Sequence, residues 1–186
     1  MRRSIIASLL IAVLGLGSCG QPRMHHDLFE AHANVPYTLS SGDRLRVIVF
    51  GQDAMSNSYS VDGSGRISLP LIGLVNANGL TAPALEKANE ARLRGGYLRE
   101  PKVSVEVEAY RPFYVLGEVT TAGQYPYVNG LTVQKAVAIA GGFAPRAAKW
   151  SADLTRVIDG YPATAPVPMT YQVKPGDTIT VRERFF

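Results

Sequence analysis

The sequence predicts an α+β fold made of two small modules, and three observations lead to that prediction. Short segments in which apolar and polar residues alternate, as in half-buried strands, occur in both halves of the chain. A Gly-Leu-Thr segment precedes a helical pattern twice, at 79–81 and at 130–132. A Gly-Asp turn precedes an alternating strand twice, at 42–43 and at 176–177. Two successive units of strands with one helix predict two packed modules.

The N-terminus predicts export from the cytoplasm. Two arginines at 2–3 are followed by an uncharged apolar run over 4–16. This run is shorter than the roughly 20 residues that span a bilayer as a helix, but it suits the core of a signal peptide. It ends in Leu-Gly-Ser-Cys at 16–19, which resembles the lipobox of bacterial lipoproteins. That resemblance implies removal of a signal peptide over 1–18 and acylation of Cys19.

The residue after the cysteine bears on the membrane that holds the protein. In such lipoproteins an aspartate there favours retention at the inner membrane, and this chain has Gly20 instead, so we expect the outer membrane. The alternatives are an ordinary signal peptide with a cysteine near its end by chance, and a buried cysteine. Because Cys19 is the only cysteine, the exported part contains no intramolecular disulfide.

The composition argues against a nucleic-acid-binding protein. Removal of 1–18 leaves 168 of the 186 residues and, because two arginines are lost, lowers the formal net charge from +4 to about +2. The remaining lysines and arginines are scattered and do not alternate with aromatic residues. No second apolar run approaches membrane-spanning length, so we expect membrane association through the lipid or through assembly.

Residues 19–36 predict a lipidated cysteine followed by a flexible tether. The segment is polar, has no sustained hydrophobic period and contains all three histidines of the chain, His25, His26 and His32. These histidines could bind a metal ion, but no cysteine or carboxylate cluster completes a site. We therefore expect solvated tether residues and no metal.

The first module begins with a strand, in which Leu45, Val47 and Val49 alternate with Arg44 and Arg46. The segment 59–69 predicts a β-hairpin whose turn is Asp-Gly-Ser-Gly at 62–65. Such a turn requires positive φ, which we expect at Gly63 or Gly65.

A helix follows in the same module. Thr81 predicts its cap, Pro83 lies in its first turn, and two glycines at 95–96 end it. The core-facing side is expected at Leu85, Ala88 and Ala91. A half-buried strand with inward Val103, Val105 and Val107 closes the module.

The second module repeats this order. Residues 113–117 predict a strand and 122–126 a turn. A helix opens at Thr132 and ends at the glycines 141–142, and a Lys-Pro-Gly-Asp turn at 174–177 precedes a last strand. The expected inward residues are Val133, Ala136, Val137 and Ala140 in the helix and Ile179 and Val181 in the strand.

Five segments in this order resemble the polysaccharide export proteins of Gram-negative bacteria. They are YTLSSGDRLRV (37–47), VDGSGRISLPLIG (61–73), GYL with PKVSV (96–105), FYVLGEV (113–119) and TVQKAVAIAGGFAP (132–145). The first three are similar to the family's polysaccharide-export domain, and the last two to its SLBB module, which has a ligand-binding β-grasp fold. The resemblance implies a polysaccharide-export α/β domain over 37–109 and a β-grasp-like SLBB domain over 110–186.

The resemblance also implies a function. Such proteins form periplasmic rings that conduct a capsular or exopolysaccharide chain to the outer membrane. The implied partners are further copies of the chain, an inner-membrane polysaccharide copolymerase and the polysaccharide itself. The sequence ends at Phe186 after the last predicted strand, so we expect a short form without a C-terminal transmembrane helix. Two alternatives stay open, a carbohydrate-binding or envelope-scaffold lipoprotein without a conduit, and a polysaccharide-modifying enzyme.

The acidic residues predict structural turns and not catalysis. Asp43, Asp62 and Asp177 each lie in a turn that contains glycine, where an aspartate commonly bonds nearby backbone N–H groups. The glycines of these turns are Gly42, Gly63, Gly65 and Gly176. A catalytic pair would need two carboxylates that converge in one cleft, and the serines show no nucleophile-elbow pattern. We therefore expect a protein that is not an enzyme and that carries no cofactor.

Aromatic residues are the candidate contacts, because sugars stack on aromatic faces. The candidates for contact with sugar or with another subunit are Tyr110, Tyr114, Tyr125, Tyr127, Phe185 and Phe186. The alternative for the residues near the strand at 113–117 is a place in the β-sheet core or in cross-strand pairs, and this applies above all to Phe113.

Overall fold

The computed structural model describes Phe29, Ala31 and residues 35–184. The predictions for the signal peptide, for Cys19, for His25, His26 and His32, and for Phe185 and Phe186 fall outside these described residues. Within the described part, none of the helices has the length and apolar character needed to cross a membrane.

The first module contains two small sheets and one long helix. Its elements are β1 (Arg44–Val49), a 3-10 turn (Asp53–Met55), β2 (Asn57–Ser60), β3 (Arg66–Leu69), β4 (Gly73–Asn76), α1 (Ala82–Arg94) and β5 (Val103–Ala109). One antiparallel sheet has the order β2-β1-β5, and the other is the β3–β4 hairpin. Leu45, Val47 and Val49 are buried and alternate with exposed or half-buried neighbours, which confirms the strand prediction.

The turn at 62–65 forms as predicted, but the hairpin prediction is wrong. The N–H of Gly65 donates to the carbonyl oxygen of Asp62 at 2.9 Å, and that of Asp62 to the carbonyl oxygen of Arg66 at 2.8 Å. The flanking strands do not pair with each other, since β2 pairs with β1 and β3 pairs with β4. The carbonyl oxygen of Gly65 accepts the N–H groups of Ala77 and Asn78, which draws the chain toward the end of β4. The turn therefore carries the chain from one sheet to the other.

Helix α1 has the predicted ends but a different buried side. The Thr81 side chain accepts the N–H of Ala84 at 3.4 Å, and Gly95 caps the C-terminus. The buried residues are Leu85, Asn89 and Leu93, whereas Ala88 is half-buried and Ala91 is exposed. At 3.6 residues per turn, Ala91 lies six positions after Leu85 and therefore points about 120° away from it around the helix axis. Residues four positions apart, such as Leu85 and Asn89, lie near the same face. The expected core-facing position of Ala91 was therefore wrong.

The second module is one mixed sheet packed on a short helix. Its elements are β6 (Phe113–Gly117), β7 (Gly123–Tyr125), α2 (Val133–Ile139), β8 (Ser151–Ile158), β9 (Tyr161–Pro168) and β10 (Thr178–Val181). The strand order is β7-β6-β10-β8-β9, with β6 and β10 parallel and the other neighbours antiparallel. These two modules, each with strands and one helix, confirm the α+β prediction.

The core of the second module includes the residues predicted to face inward. Val133, Ala136, Val137 and Ala140 are buried, as are Ile179 and Val181. The segment 122–126 was predicted to be a turn, but residues 123–125 form β7, because their backbone pairs with β6. The core also contains Phe29, which is 2% exposed although it lies in the segment predicted to be a tether. At Phe29, therefore, the chain is packed against the second module.

Candidate functional site

The two Gly-Asp turns have the same internal geometry. Oδ2 of Asp43 accepts the N–H of Ser40 at 2.9 Å, and Oδ2 of Asp177 accepts the N–H of Lys174 at 2.7 Å. In each turn the N–H of the aspartate donates back to the carbonyl oxygen of the same partner residue. Both carboxylates are buried, at 0% and 1% exposure, and the preceding glycines have φ of 92° and 85°. The repeated sequence motif is therefore a repeated structure at the start of β1 and of β10.

Arg111 connects the two turns. Its backbone N–H donates to Oδ1 of Asp43 at 2.9 Å, and its Nη1 lies 3.5 Å from Oδ2 of the same carboxylate. On the other side, the N–H of Gly176 donates to the carbonyl oxygen of Pro112 at 3.0 Å. A Cβ atom on Gly176 would lie only 2.6 Å from Nε of Arg111, so only glycine allows this approach. Arg111 thus joins the two modules at their Gly-Asp turns.

Asp177 is also paired with a buried arginine. Nε of Arg156 donates to Oδ1 at 2.9 Å, and Nη2 donates to Oδ2 at 2.7 Å. The guanidinium lies over the rings of Phe29 and Tyr171, at 5.5 Å and 5.8 Å from their centroids. Its Nη1 is buried and has no hydrogen-bond partner. Burial opposes the charged form of Arg156, but the bonds to Asp177 outweigh this and raise its pKa, so the guanidinium stays charged.

Arg156 is a residue that the sequence reasoning missed, although a signal was present. In β8 the inward positions are occupied by Ala152, Leu154, Arg156 and Ile158. An arginine at an apolar position of a strand with period two is unusual, because a buried charge needs a partner. That pattern could have indicated a buried ion pair. It could not have indicated the partner, because Asp177 lies 21 residues further along the chain.

Tyrosines form a continuous contact beside Arg111. The rings of Tyr37 and Tyr110 meet edge to face with centroids 5.0 Å apart, and those of Tyr110 and Tyr127 with centroids 5.4 Å apart. The hydroxyl of Tyr37 donates to Oδ2 of Asp43 at 2.6 Å and accepts from Nη1 of Arg111 at 2.9 Å. The structure therefore places two of the predicted aromatic contacts, Tyr110 and Tyr127, at the junction of the modules.

Tyr114 and Tyr125 lie elsewhere. The ring of Tyr125 packs on Phe113, which is fully buried, with centroids 5.9 Å apart, and its hydroxyl donates to the carbonyl oxygen of Thr121 at 2.5 Å. Tyr114 is 40% exposed and points from β6 to the opposite face of the sheet. The predicted aromatic group is thus divided among the junction, the core and the outer sheet face.

The surroundings of Tyr37 and Tyr127 at the junction keep both hydroxyls neutral. Burial, followed by the hydrogen bond to Asp43, raises the pKa of the Tyr37 hydroxyl. Burial and the neighbouring Tyr110 raise the pKa of Tyr127. Burial and the positive charge of Arg156 together lower the pKa of the Lys174 ammonium. The charged form of Lys174 is therefore disfavoured by desolvation and by a neighbouring cation, and the negative charge of Asp177 offsets only part of this.

A cleft of about 680 Å³ opens at this junction. Its walls are formed by residues 35–40 of the first module, by the end of β8 with the following turn at 156–160, and by the Asp177 turn. The charged side chains that line it are Arg111, Arg156, Asp159, Lys174 and Asp177. Its volume falls within the range of small-molecule pockets, and its lining supplies both donors and acceptors. Such a lining can hold a hydroxyl-rich ligand.

The third turn aspartate lies away from this cleft. The exposed carboxylate of Asp62 accepts the N–H groups of Ser64 and Arg66 and the Ser64 hydroxyl. These bonds, that to the hydroxyl first, lower the pKa of Asp62. Within the described residues, no group of three or more histidine, cysteine or acidic side chains is arranged to hold a metal ion.

Comparison with known proteins identifies the class of the chain. Residues 31–108 match the family described as polysaccharide biosynthesis/export protein, and residues 112–163 match the SLBB domain. The chain belongs to the polysaccharide export protein family, whose members are associated with the cell envelope.

A curated relative points to the same class. The chain is 38% identical over 118 residues to the exopolysaccharide production protein ExoF of Rhizobium meliloti (strain 1021). The match covers 57% of this chain and 28% of the relative, so the chain spans less than a third of that protein's length.

Proposed function

We propose that this chain is a component of an exopolysaccharide export apparatus and that it acts as a conduit subunit, not as an enzyme. The mature protein is held by a lipid on Cys19 at the periplasmic face of the outer membrane. It assembles with further copies into a ring that guides a capsular or exopolysaccharide chain, and it works with an inner-membrane copolymerase. The polymer is recognised by shape and by weak contacts.

One observation carries this proposal, namely that the two matched domains follow each other in one chain and are joined through Arg111. A conduit subunit needs a rigid relation between its modules, because a ring closes only when every copy has the same shape. The bonds from Arg111 to Asp43 and the contact with Gly176 supply such a connection. A conduit needs no acid, base or nucleophile, and Asp43 and Asp177 are already occupied by backbone and arginine donors.

A second candidate is a carbohydrate-binding or envelope-scaffold lipoprotein that forms no conduit. The cleft favours this candidate, because a single chain provides it without any neighbouring copy. The oligomeric state distinguishes the two, since a conduit requires a closed ring and a binding protein does not.

The test combines genetics with particle size. Deletion of the gene is expected to abolish surface polysaccharide, and the wild-type chain to restore it. Asp62→Asn should restore it equally, because Asp62 is exposed and only shapes its turn. Light scattering of the detergent-extracted protein should give a ring-sized oligomer. Monomers in several mild detergents, together with normal surface polysaccharide in the deletion strain, would reject the conduit in favour of the binding lipoprotein.

A further inference from the structure

The loop that joins β3 to β4 holds a leucine in a strained conformation. The N–H of Ile72 donates to the carbonyl oxygen of Pro70 at 2.8 Å, which closes a γ-turn around Leu71. Leu71 has φ of 68°. A γ-turn whose central residue has positive φ is rare and strained, and glycine would occupy this position at lower cost than leucine.

The same loop exposes apolar side chains. Leu71 is 57% exposed and Leu74 is 51% exposed, and Pro70 is exposed beside them. The segment 67–75 contains no charged residue. Single exposed leucines are normal on a protein surface, whereas neighbouring apolar side chains that all stay exposed indicate a contact surface. Pro70, Leu71 and Leu74 therefore form an apolar tip on the β3–β4 hairpin.

The surroundings of the apolar tip hold it in place. Leu69 and Val75, in the two strands that lead to the tip and away from it, are buried in the core of the first module. Nη1 of Arg92, in the last turn of α1, donates to the carbonyl oxygen of Leu74. Backbone strain persists only where the surrounding structure imposes it, and it is concentrated at functional sites. The strain at Leu71 thus indicates a contact whose shape is set before the partner arrives.

A second copy of the chain suits the apolar tip better than a glycan or a lipid does. The side chains of the tip offer no hydrogen-bond donor or acceptor to sugar hydroxyls. A fluid lipid surface imposes no particular backbone shape, so it gives no reason to maintain a strained one. In a ring, each copy meets its neighbours through two different surfaces. Exposed apolar side chains occur away from the tip as well, for example Leu116 and Trp150 in the second module.

We infer that the apolar tip packs on a neighbouring copy of this chain and that Leu71 is the anchor of this contact. The inference rests on the proposed function for the ring, and it adds the surface through which the copies meet. In the assembly the side chain of Leu71 is buried, and its burial compensates for the strain that the isolated chain retains.

The first test compares assembly with folding in the detergent-extracted full chain. Leu71→Gly removes both the strain and the apolar side chain. In dilute, dissociated protein it should not lower the temperature of thermal unfolding, because glycine adopts positive φ readily. Light scattering over a range of concentrations should show association weakened by about tenfold or more. Burial of a leucine side chain contributes at least the roughly 1.4 kcal/mol to which a factor of ten corresponds.

Asp159→Gly is the matched control for this variant. Asp159 is the other non-glycine residue with positive φ in the part of the chain that the structure describes, and it is exposed. The substitution gives the same backbone freedom but removes no apolar side chain. Asp159→Gly should therefore assemble like the wild-type chain.

The second test identifies the neighbour of the apolar tip. A photoreactive benzophenone side chain in place of Leu74 should, on illumination of the membranes, join two copies of the chain. Mass spectrometry of the joined peptides should place the receiving residue outside the hairpin at 66–76, because a ring contact joins two different surfaces.

The outcomes separate this inference from the proposed function. A Leu71→Gly variant that associates like wild type would overturn the tip contact. So would cross-links from position 74 to lipid, to another protein, within one chain or between two tips. In each of these cases, a wild-type ring and loss of surface polysaccharide in the deletion strain leave the conduit standing. Wild-type protein that is only monomeric would overturn the tip contact and the conduit together.

Discussion

Gly65 is the residue at which the chain passes between the two sheets of the first module. It has φ of 78°, and a Cβ atom there would lie 2.4 Å from Cβ of Asn78. Its carbonyl oxygen also accepts two backbone N–H groups from the segment after β4. A side chain at this position would therefore meet both backbone strain and a fixed neighbour.

We predict that Gly65→Val destabilises the protein by at least about 1–3 kcal/mol, the cost of forcing a branched residue into this conformation. Gly63→Val is the matched control. Gly63 lies two residues earlier in the same turn and is exposed. A Cβ there meets nothing within 4 Å, and its φ is not positive. Chemical denaturation should place Gly63→Val within about 0.5 kcal/mol of wild type. Equal losses for both variants would contradict this account of the turn.

The Arg156–Asp177 pair gives a second residue-scale prediction. Arg156→Met should cost about 3–5 kcal/mol, because it leaves the buried carboxylate of Asp177 without its partner. The double variant Arg156→Met with Asp177→Asn removes both charges, and the amide oxygen of asparagine can still accept the N–H of Lys174. Denaturation should therefore show the double variant to be more stable than Arg156→Met alone. The opposite order would mean that the shape of the arginine, not the compensation of charge, stabilises this core.

At the scale of elements, α1 and α2 each begin with a threonine cap. The side chains of Thr81 and Thr132 accept the N–H groups of Ala84 and Lys135, each at 3.4 Å. We predict that Thr81→Ala and Thr132→Ala each lower the free energy of unfolding by about 1 kcal/mol, within the usual range of 0.5–2. Thr81→Ser and Thr132→Ser retain the hydroxyl and should recover most of that loss. If serine and alanine destabilise equally, the hydroxyl is not the stabilising group.

Local elements could be predicted from the sequence, and their pairing could not. The alternation of Leu45, Val47 and Val49 is a local signal, and so are the threonines before α1 and α2. Both signals led to correct predictions. The chain leaves the β2 sheet at Gly65, whose carbonyl oxygen bonds to Ala77 and Asn78, 12 and 13 positions further on. The local alternation of apolar and polar residues carries no information about such distant bonds. Strand β7 has only three residues, too few for a period to emerge.

The candidate site was less predictable than the fold for the same reason. Asp43 and Asp177 were correctly expected to bond nearby backbone N–H groups, because that geometry depends on residues three positions apart. The role of Arg111 depends on a contact that spans 68 residues to Asp43 and a second one to Gly176. All four tyrosines at 110, 114, 125 and 127 were predicted to be contacts because they are aromatic. Only the fold shows that Tyr110 and Tyr127 lie at the junction and that Tyr114 and Tyr125 do not.

At the scale of the whole molecule, the proposal for Cys19 is tested by mass. The intact protein from membranes is expected to show loss of residues 1–18 and the addition of three acyl chains. Cys19→Ser should appear as unprocessed or soluble protein, because each buried methylene contributes about 0.8 kcal/mol to membrane binding. An unmodified Cys19 in the wild-type protein would end the lipoprotein proposal.

The position of Phe29 limits how far a lipid on Cys19 could lie from the second module. Its side chain is packed in the second module, beneath the guanidinium of Arg156, and its carbonyl oxygen accepts the hydroxyl of Tyr171 at 3.1 Å. Phe29 lies ten positions after Cys19, and a chain covers at most about 3.3–3.6 Å per residue. The chain between a lipid on Cys19 and Phe29 would therefore be no longer than about 36 Å. This is less than the thickness of a bilayer that includes its headgroups. Because Phe29 is packed in the second module, this short segment would hold the second module close to the membrane, although that module comes later in the sequence.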